Sequence, residues 1–163
     1  MAMDYFKSVD MALSRRIKRY SPDFTKVERG LYLSAEFDDV SVYDLVTRTP
    51  NSGSVMEIST MHSLCHLFES YVLSSDYASK VILFAPSAGA TGFSLVVRAL
   101  DSAAVILLLR RAFEYIRDFE DELPKANAED CANNKQHDLD SARKEATLYL
   151  PVLNRWDGKM TIY

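Results

Sequence analysis

Cysteine is scarce in this chain: Cys65 and Cys131 are the only two in 163 residues. Two distant thiols make no disulfide framework, and a chain of this length buries a sufficient core without one. Long apolar runs are missing as well. The longest, Ala103 to Leu109, has seven residues, against the ~20 that a membrane-spanning helix requires. Ala2 to Tyr20 mixes charged and apolar residues with no uninterrupted apolar stretch of the kind a secretory signal needs, so the expected location is cytoplasmic. No internal repeat or low-complexity tract is present, and the net charge of −4 excludes a protein that coats nucleic acid through bulk charge.

What is there has ordinary globular composition, 48% hydrophobic and 26% charged. Phe6, Val9, Leu13, Ile17 and Tyr20 recur at intervals of three and four, predicting an amphipathic helix over 3–20 that Ser21-Pro22 ends. Over 30–37 the period changes to two, predicting a strand with Leu31, Leu33, Ala35 and Phe37 on one face. Val40 to Val46 fits either a short helix capped by Asp38 or Asp39, or a second strand. A loop at 50–54 precedes a helix over 55–73, and strands at 80–85 and 93–99 flank a turn at 86–92. Asp101 or Ser102 caps a long helix that Pro124 stops near Leu123. Residues 124–140 lack periodicity and read as a functional or mobile loop. A short helix near 139–146 leads to a C-terminal β-hairpin about Asp157-Gly158, with Pro151 placing its first strand at an edge. The expectation is a single α+β domain over 1–163, with about three main helices packed on a mostly antiparallel sheet of four to five strands. Its core is expected to include Phe6, Leu13, Leu33, Phe37, Met61, Phe68, Ile82, Phe84, Val96, Ile106, Phe113, Ile116 and Trp156.

His62, Cys65, His66 and Glu69 share one predicted helix, and the histidines have the i,i+4 spacing of paired metal ligands. Cys131 and His137 form a C-x5-H pair in the loop. On a helical wheel started at Ile58, the apolar face centres near 290–300° and Cys65 falls within it at about 340°. His62, His66 and Glu69 fall at about 40°, 80° and 20°, on a flank that reads as solvated edge. The wheel therefore assigns no metal. His62, His66, Cys131 and His137 are the donors that a metal would use.

The stretch Val81-Ile-Leu-Phe84, Gly89-Ala-Thr-Gly92 and Ala104 to Arg111 locally resembles the opening of a short-chain dehydrogenase. That resemblance implies glycines approaching a pyrophosphate at a helix N-terminus, with Arg110 and Arg111 assisting. Leu95 stands where the third glycine belongs, Pro86-Ser87-Ala88 lengthens the connection, and only 52 residues follow Arg111. A hairpin over 80–99 followed by a helix accounts for the same residues. No G-x-S-x-G elbow occurs, and the acidic run Asp118 to Glu122 reads as solvated surface.

Charge is unevenly spread. Residues 1–30 carry seven basic and four acidic side chains, whereas 31–75 carry one basic and six acidic. The basic residues Arg15, Arg16, Lys18, Arg19, Lys26 and Arg29 form the candidate partner-binding segment. Glu36, Asp38, Asp39 and Asp44 are a candidate self-contact in a second copy. The reading that follows is a non-enzymatic interaction or assembly protein, of a viral or other small accessory kind, binding a protein partner or itself and needing no cofactor. RNA binding, or contact with a membrane surface, through 15–29 is the second reading. A nucleotide-binding enzyme with a degenerate glycine loop at 86–95 is the third.

Overall fold

A computed structural model describes residues 17–156 and 161–163. The central hairpin joins β2 (Gly30–Phe37) to β3 (Val40–Val46) through Asp38, whose φ of 51° is a left-handed conformation that aspartate tolerates. The segment that fitted either helix or strand is thus a strand, and it is central: β3 pairs with β2 on one side and β5 (Gly92–Arg98) on the other. The last strand of that path is β4 (Val81–Pro86), antiparallel to β5. Two short strands finish the sheet along β2, β1 (Lys18–Arg19) antiparallel and β6 (Thr161–Ile162) parallel.

The helix expected over 3–20 falls mostly outside the described residues, but its end is corrected. Lys18 and Arg19 face Glu36 and Ala35 as a strand, and the Tyr20 N–H donates to Ser34 O at 3.0 Å. Pairing with β2 satisfies backbone groups that a helix would have left to capping at Ser21-Pro22.

Among the described residues, three helices cover one face of the sheet: α1 (Ile58–Leu73), α2 (Ser102–Asp118) and α3 (Leu139–Asn154). The α+β class and its mostly antiparallel sheet are as the sequence implies. Asp101 caps α2 by accepting from the Ala104 N–H at 2.8 Å. The helix stops at Asp118, where Phe119 turns extended, rather than at Leu123. The larger correction concerns the C-terminus. The expected first strand of the hairpin is helical through Asn154, because Ala142, Ala146, Tyr149, Leu150 and Leu153 recur at helical spacing and are all buried. Pro151 sits inside this helix, and Asp157-Gly158 lies outside the described residues.

Phe93, Leu95 and Val97 alternate inward from β5, with Tyr43 and Leu45 from β3, against Leu64, Leu67 and Phe68 of α1 and Leu109, Phe113 and Ile116 of α2. Of the expected core, Leu33, Met61, Phe68, Ile106, Phe113 and Ile116 are buried. Val96 lies in the opposite parity to its buried neighbours, and Ile82 is 55% exposed beside a register shift between Val81 and Leu83. Tyr149 ties α3 to the sheet by donating to Gly30 O at 2.7 Å.

The glycine pattern at 86–95 belongs to this sheet and not to a phosphate site. Residues 87–91 turn between antiparallel strands, with no helix N-terminus behind them. A Cβ at Gly92 would lie 1.8 Å from Leu45 O, so glycine is required there for strand pairing. At Gly89 a Cβ would meet nothing closer than 3.6 Å.

Candidate metal centre

His62 and His66 project one turn apart from the first half of α1. The connection between α2 and α3 returns across that flank and brings Cys131 and His137 to it. Asn127 shapes the first part: its side-chain oxygen accepts from the Glu129 and Asp130 N–H groups, each at 2.9 Å, and the Cys131 N–H donates to its carbonyl at 3.0 Å. Asp138 shapes the second part, capping α3 by accepting from the Ser141 N–H. The Asp138 N–H donates to Ser63 Oγ at 2.8 Å, and Ser63 is fully buried on α1. Ser63 thus anchors the loop beside the histidines.

The four donor atoms of His62, His66, Cys131 and His137 lie within 4.8 Å of one another. His62 Nε2 is 3.1 Å from His66 Nε2 and 3.3 Å from Cys131 Sγ, and Cys131 Sγ is 3.7 Å from His137 Nε2. A tetrahedral zinc with bonds of about 2.0–2.1 Å to nitrogen and 2.3 Å to sulfur needs donor separations of about 3.3–3.7 Å. The three separations of 3.1–3.7 Å are close to that size, and the set as a whole, spread over 4.8 Å, is looser.

The outer hydrogen bonds decide which ring nitrogens face the centre. His62 Nδ1–H donates to Gln136 O at 3.0 Å, and His66 Nδ1–H donates to Pro124 O at 2.9 Å. With those protons committed to Nδ1, the neutral form of each ring presents a bare Nε2 lone pair to the other at 3.1 Å. A proton or a metal cation shared between the two nitrogens relieves that approach, and the same tautomer is the one that ligates metals. His137 Nδ1 lies 3.4 Å from Ser63 Oγ; donation there leaves its Nε2 toward Cys131. Burial, then the neighbouring His62 and His66, lowers the His137 pKa and favours the neutral ligand form. The residues fit a divalent metal of the zinc type.

A cavity of about 410 Å3 opens beside His62 and His66, with Phe68, Val81 and Leu83 among its walls and Glu69 the one carboxylate among the described residues that line it. Cys65 also lines it, but burial pushes the thiol up to about 12, with the charge of Glu69 adding to the shift; it holds its proton at neutral pH. A larger cavity of about 660 Å3 lies along the 86–94 hairpin. It contains no donor of the cluster, and its Asp44 already accepts from Ser94 and Tyr163. Chemistry rather than volume therefore locates the site.

The other candidates fall elsewhere. Arg15 and Arg16 lie outside the described residues. Lys18 and Arg19 are strand residues, Lys26 pairs with Asp23 at 3.1 Å, and Arg29 donates to Leu148 O at 2.7 Å. Among the acids, Glu36 accepts from Tyr20 and Asp39 pairs with Arg98 at 2.9 Å; Asp38 forms the turn. Arg110 donates to Leu153 O, joining α2 to α3 rather than holding a phosphate.

Fold and donor cluster together define an α+β protein with a three-imidazole, one-thiol centre of the metal-ligating kind. A model of the S-ribosylhomocysteinase (LuxS) family matches residues 17–159, and the chain belongs to that family. It is 30% identical to an S-ribosylhomocysteine lyase of Borreliella afzelii over 146 residues, covering 86% of this chain and 93% of the relative. It is 29% identical to one of Finegoldia magna over 153 residues, covering 91% and 97%. A third, from Phocaeicola vulgatus, is 28% identical over 142 residues, covering 83% and 88%.

Membership in an enzyme family overturns the expectation of a non-enzymatic interaction or accessory protein, viral or otherwise, and with it the RNA-binding alternative. The nucleotide-binding alternative falls too, both to the family and to the hairpin that occupies its glycine loop. Among the described residues, no helix is long and apolar enough to cross a membrane.

Proposed function

We propose that this chain is a metal-dependent lyase acting on S-ribosylhomocysteine or a close thioether relative, breaking the bond between sugar carbon and sulfur and releasing a thiol. The observation that carries the reading is the convergence of His62, His66, Cys131 and His137 within 4.8 Å, in a chain whose relatives are S-ribosylhomocysteine lyases. A divalent metal held there supplies a Lewis acid toward a sugar oxygen. The chain's own contribution is orientation and exclusion. Gln136 O and Pro124 O fix the tautomers of His62 and His66, and Ser63 holds the loop that delivers Cys131 and His137. Phe68, Val81 and Leu83 give the adjoining cavity an apolar wall that limits water at the reacting bond. A ligating thiolate also requires a reducing surrounding, in keeping with the two free cysteines and a cytoplasmic location.

The test is direct. Purified protein is assayed for metal by mass spectrometry, then given S-ribosylhomocysteine while released thiol is followed with a chromogenic reagent. About one metal per chain and thiol release that a chelator abolishes are the expected results. Fully metal-loaded protein that releases no thiol above the blank overturns the reading.

A further inference from the structure

We propose that His137 is the displaceable ligand of the four: it completes the metal's set at rest and gives up its place when substrate enters the cavity beside His62 and His66. This deepens the lyase reading and rests on it. Structural zinc sites are closed by four protein donors, whereas catalytic ones keep three and leave a position open. Here four donors converge within 4.8 Å, so a metal held by all of them is closed. An incoming substrate atom takes a position that one donor gives up, and the four donors are held unequally.

His62 and His66 stand on α1, and each Nδ1–H donates to a backbone carbonyl, Gln136 O at 3.0 Å and Pro124 O at 2.9 Å. A carbonyl only accepts, so it commits the neutral form of each ring to a bare Nε2. Cys131 is buried and brings sulfur, a donor that zinc-type metals hold well. His137 is tied more loosely. Its Nδ1 faces a hydroxyl, Ser63 Oγ, at 3.4 Å, and the same oxygen accepts from the Asp138 N–H at 2.8 Å. A hydroxyl donates as well as accepts, so Ser63 serves both neutral tautomers of His137. One turns a bare Nε2 to the metal; the other carries an Nε2–H that cannot ligate. Its Nε2 also stands farther from Cys131 Sγ than that of His62 does, 3.7 Å against 3.3 Å.

The backbone on either side of His137 is pinned. Gln136 O holds His62, and Asp138 caps α3. The imidazole therefore withdraws by turning its own side chain, without opening the loop that delivers Cys131. The residue is partly exposed, which gives the withdrawn ring room toward solvent.

The experiment uses cobalt(II)-loaded protein, whose visible absorption reports coordination, and azide, a small anion that takes an open position. X-ray absorption of the wild type should show three imidazoles and one sulfur on one cobalt. His137→Ala and His137→Asn should each retain one cobalt and bind azide at least about tenfold more tightly than wild type. A position that His137 fills about nine-tenths of the time lowers the apparent affinity of an incoming ligand by that factor. Excess S-ribosylhomocysteine should shift the wild-type cobalt absorption as azide does. Two imidazoles in the wild type, variants that no longer retain cobalt, or equal azide affinity in all three proteins overturns the proposal. So does an unmoved spectrum in a wild type that turns the substrate over. A wild type that releases no thiol from S-ribosylhomocysteine overturns the lyase reading instead, and the azide comparison still decides whether His137 yields its place.

Discussion

Removing the metal should weaken the whole fold, and by an amount that can be worked out. The four donors come from two places in the chain: α1 supplies His62 and His66, and the 119–138 connection supplies Cys131 and His137. Between them run the Asp138 N–H bond to Ser63 Oγ and the two carbonyl bonds to His62 and His66. A metal that binds only the folded chain stabilises it by about 2.7 kcal/mol when free metal exceeds the dissociation constant 100-fold. A domain of this size shifts its midpoint by about 2–4 °C per kcal/mol, so chelation should lower Tm by about 5–11 °C. The assay is a thermal melt of metal-loaded protein with and without chelator, repeated on Cys131→Ser. The variant should melt near the chelated wild type and respond little to chelator, since a hydroxyl is a poor substitute for a thiolate ligand. Stoichiometrically loaded wild type that melts at the same temperature with and without chelator would refute the reasoning.

Ser63→Ala removes the buried acceptor of the Asp138 N–H, so it should cost about 1–3 kcal/mol in urea unfolding and weaken metal affinity about 10–100-fold in a competitive chelator titration. Gly92→Ala drives a Cβ against the Leu45 carbonyl; strand pairing must shift, and a loss of at least about 1–3 kcal/mol is expected in the same unfolding assay. Cys65 ionises near pH 12 in the folded protein against 9.0 ordinarily. The unfolded chain therefore sheds that proton first, and stability present below pH 9 should decline as pH rises from 9 toward 12. Urea midpoints measured across that range check it, with Cys65→Ala flattening the decline.

The class of fold is legible because it rests on period. Alternation over 30–37 and 93–99, and the three-and-four spacing over 58–73 and 102–118, are local signals that the packed sheet and helices reinforce. The errors lie where tertiary pairing overrides a local cue. Lys18 and Arg19 sit in a sequence with helical spacing, yet β2 offers them a free edge. Pro151 reads as a strand-edge marker, yet Tyr149, Leu150 and Leu153 gain burial only if the helix runs on past it. Val96 and Ile82 are misplaced by the parity and bulge of the hairpin, which no single strand's composition reports.

The donor cluster is visible in the sequence as residue types, but a helical wheel, sound as a local argument, lacks the term that would keep it. A wheel places His62 and His66 off the apolar face of α1, and that is correct: both are only partly buried. The wheel treats whatever lies off that face as solvent. Here the flank is covered by the very loop that lacked periodicity, and the cover is polar because its task is to meet polar side chains. Two cues pointed that way together: a His pair at i,i+4, and a C-x5-H pair ending one residue before the Asp138 cap that fixes where the loop must stop. Neither is specific alone. Their conjunction in a chain holding three histidines and two cysteines should outweigh a wheel, because the donors for one centre seldom come from one element. The enzyme class was never legible by the same route. Its signal lies in the donors and the cavity that only the folded chain brings side by side.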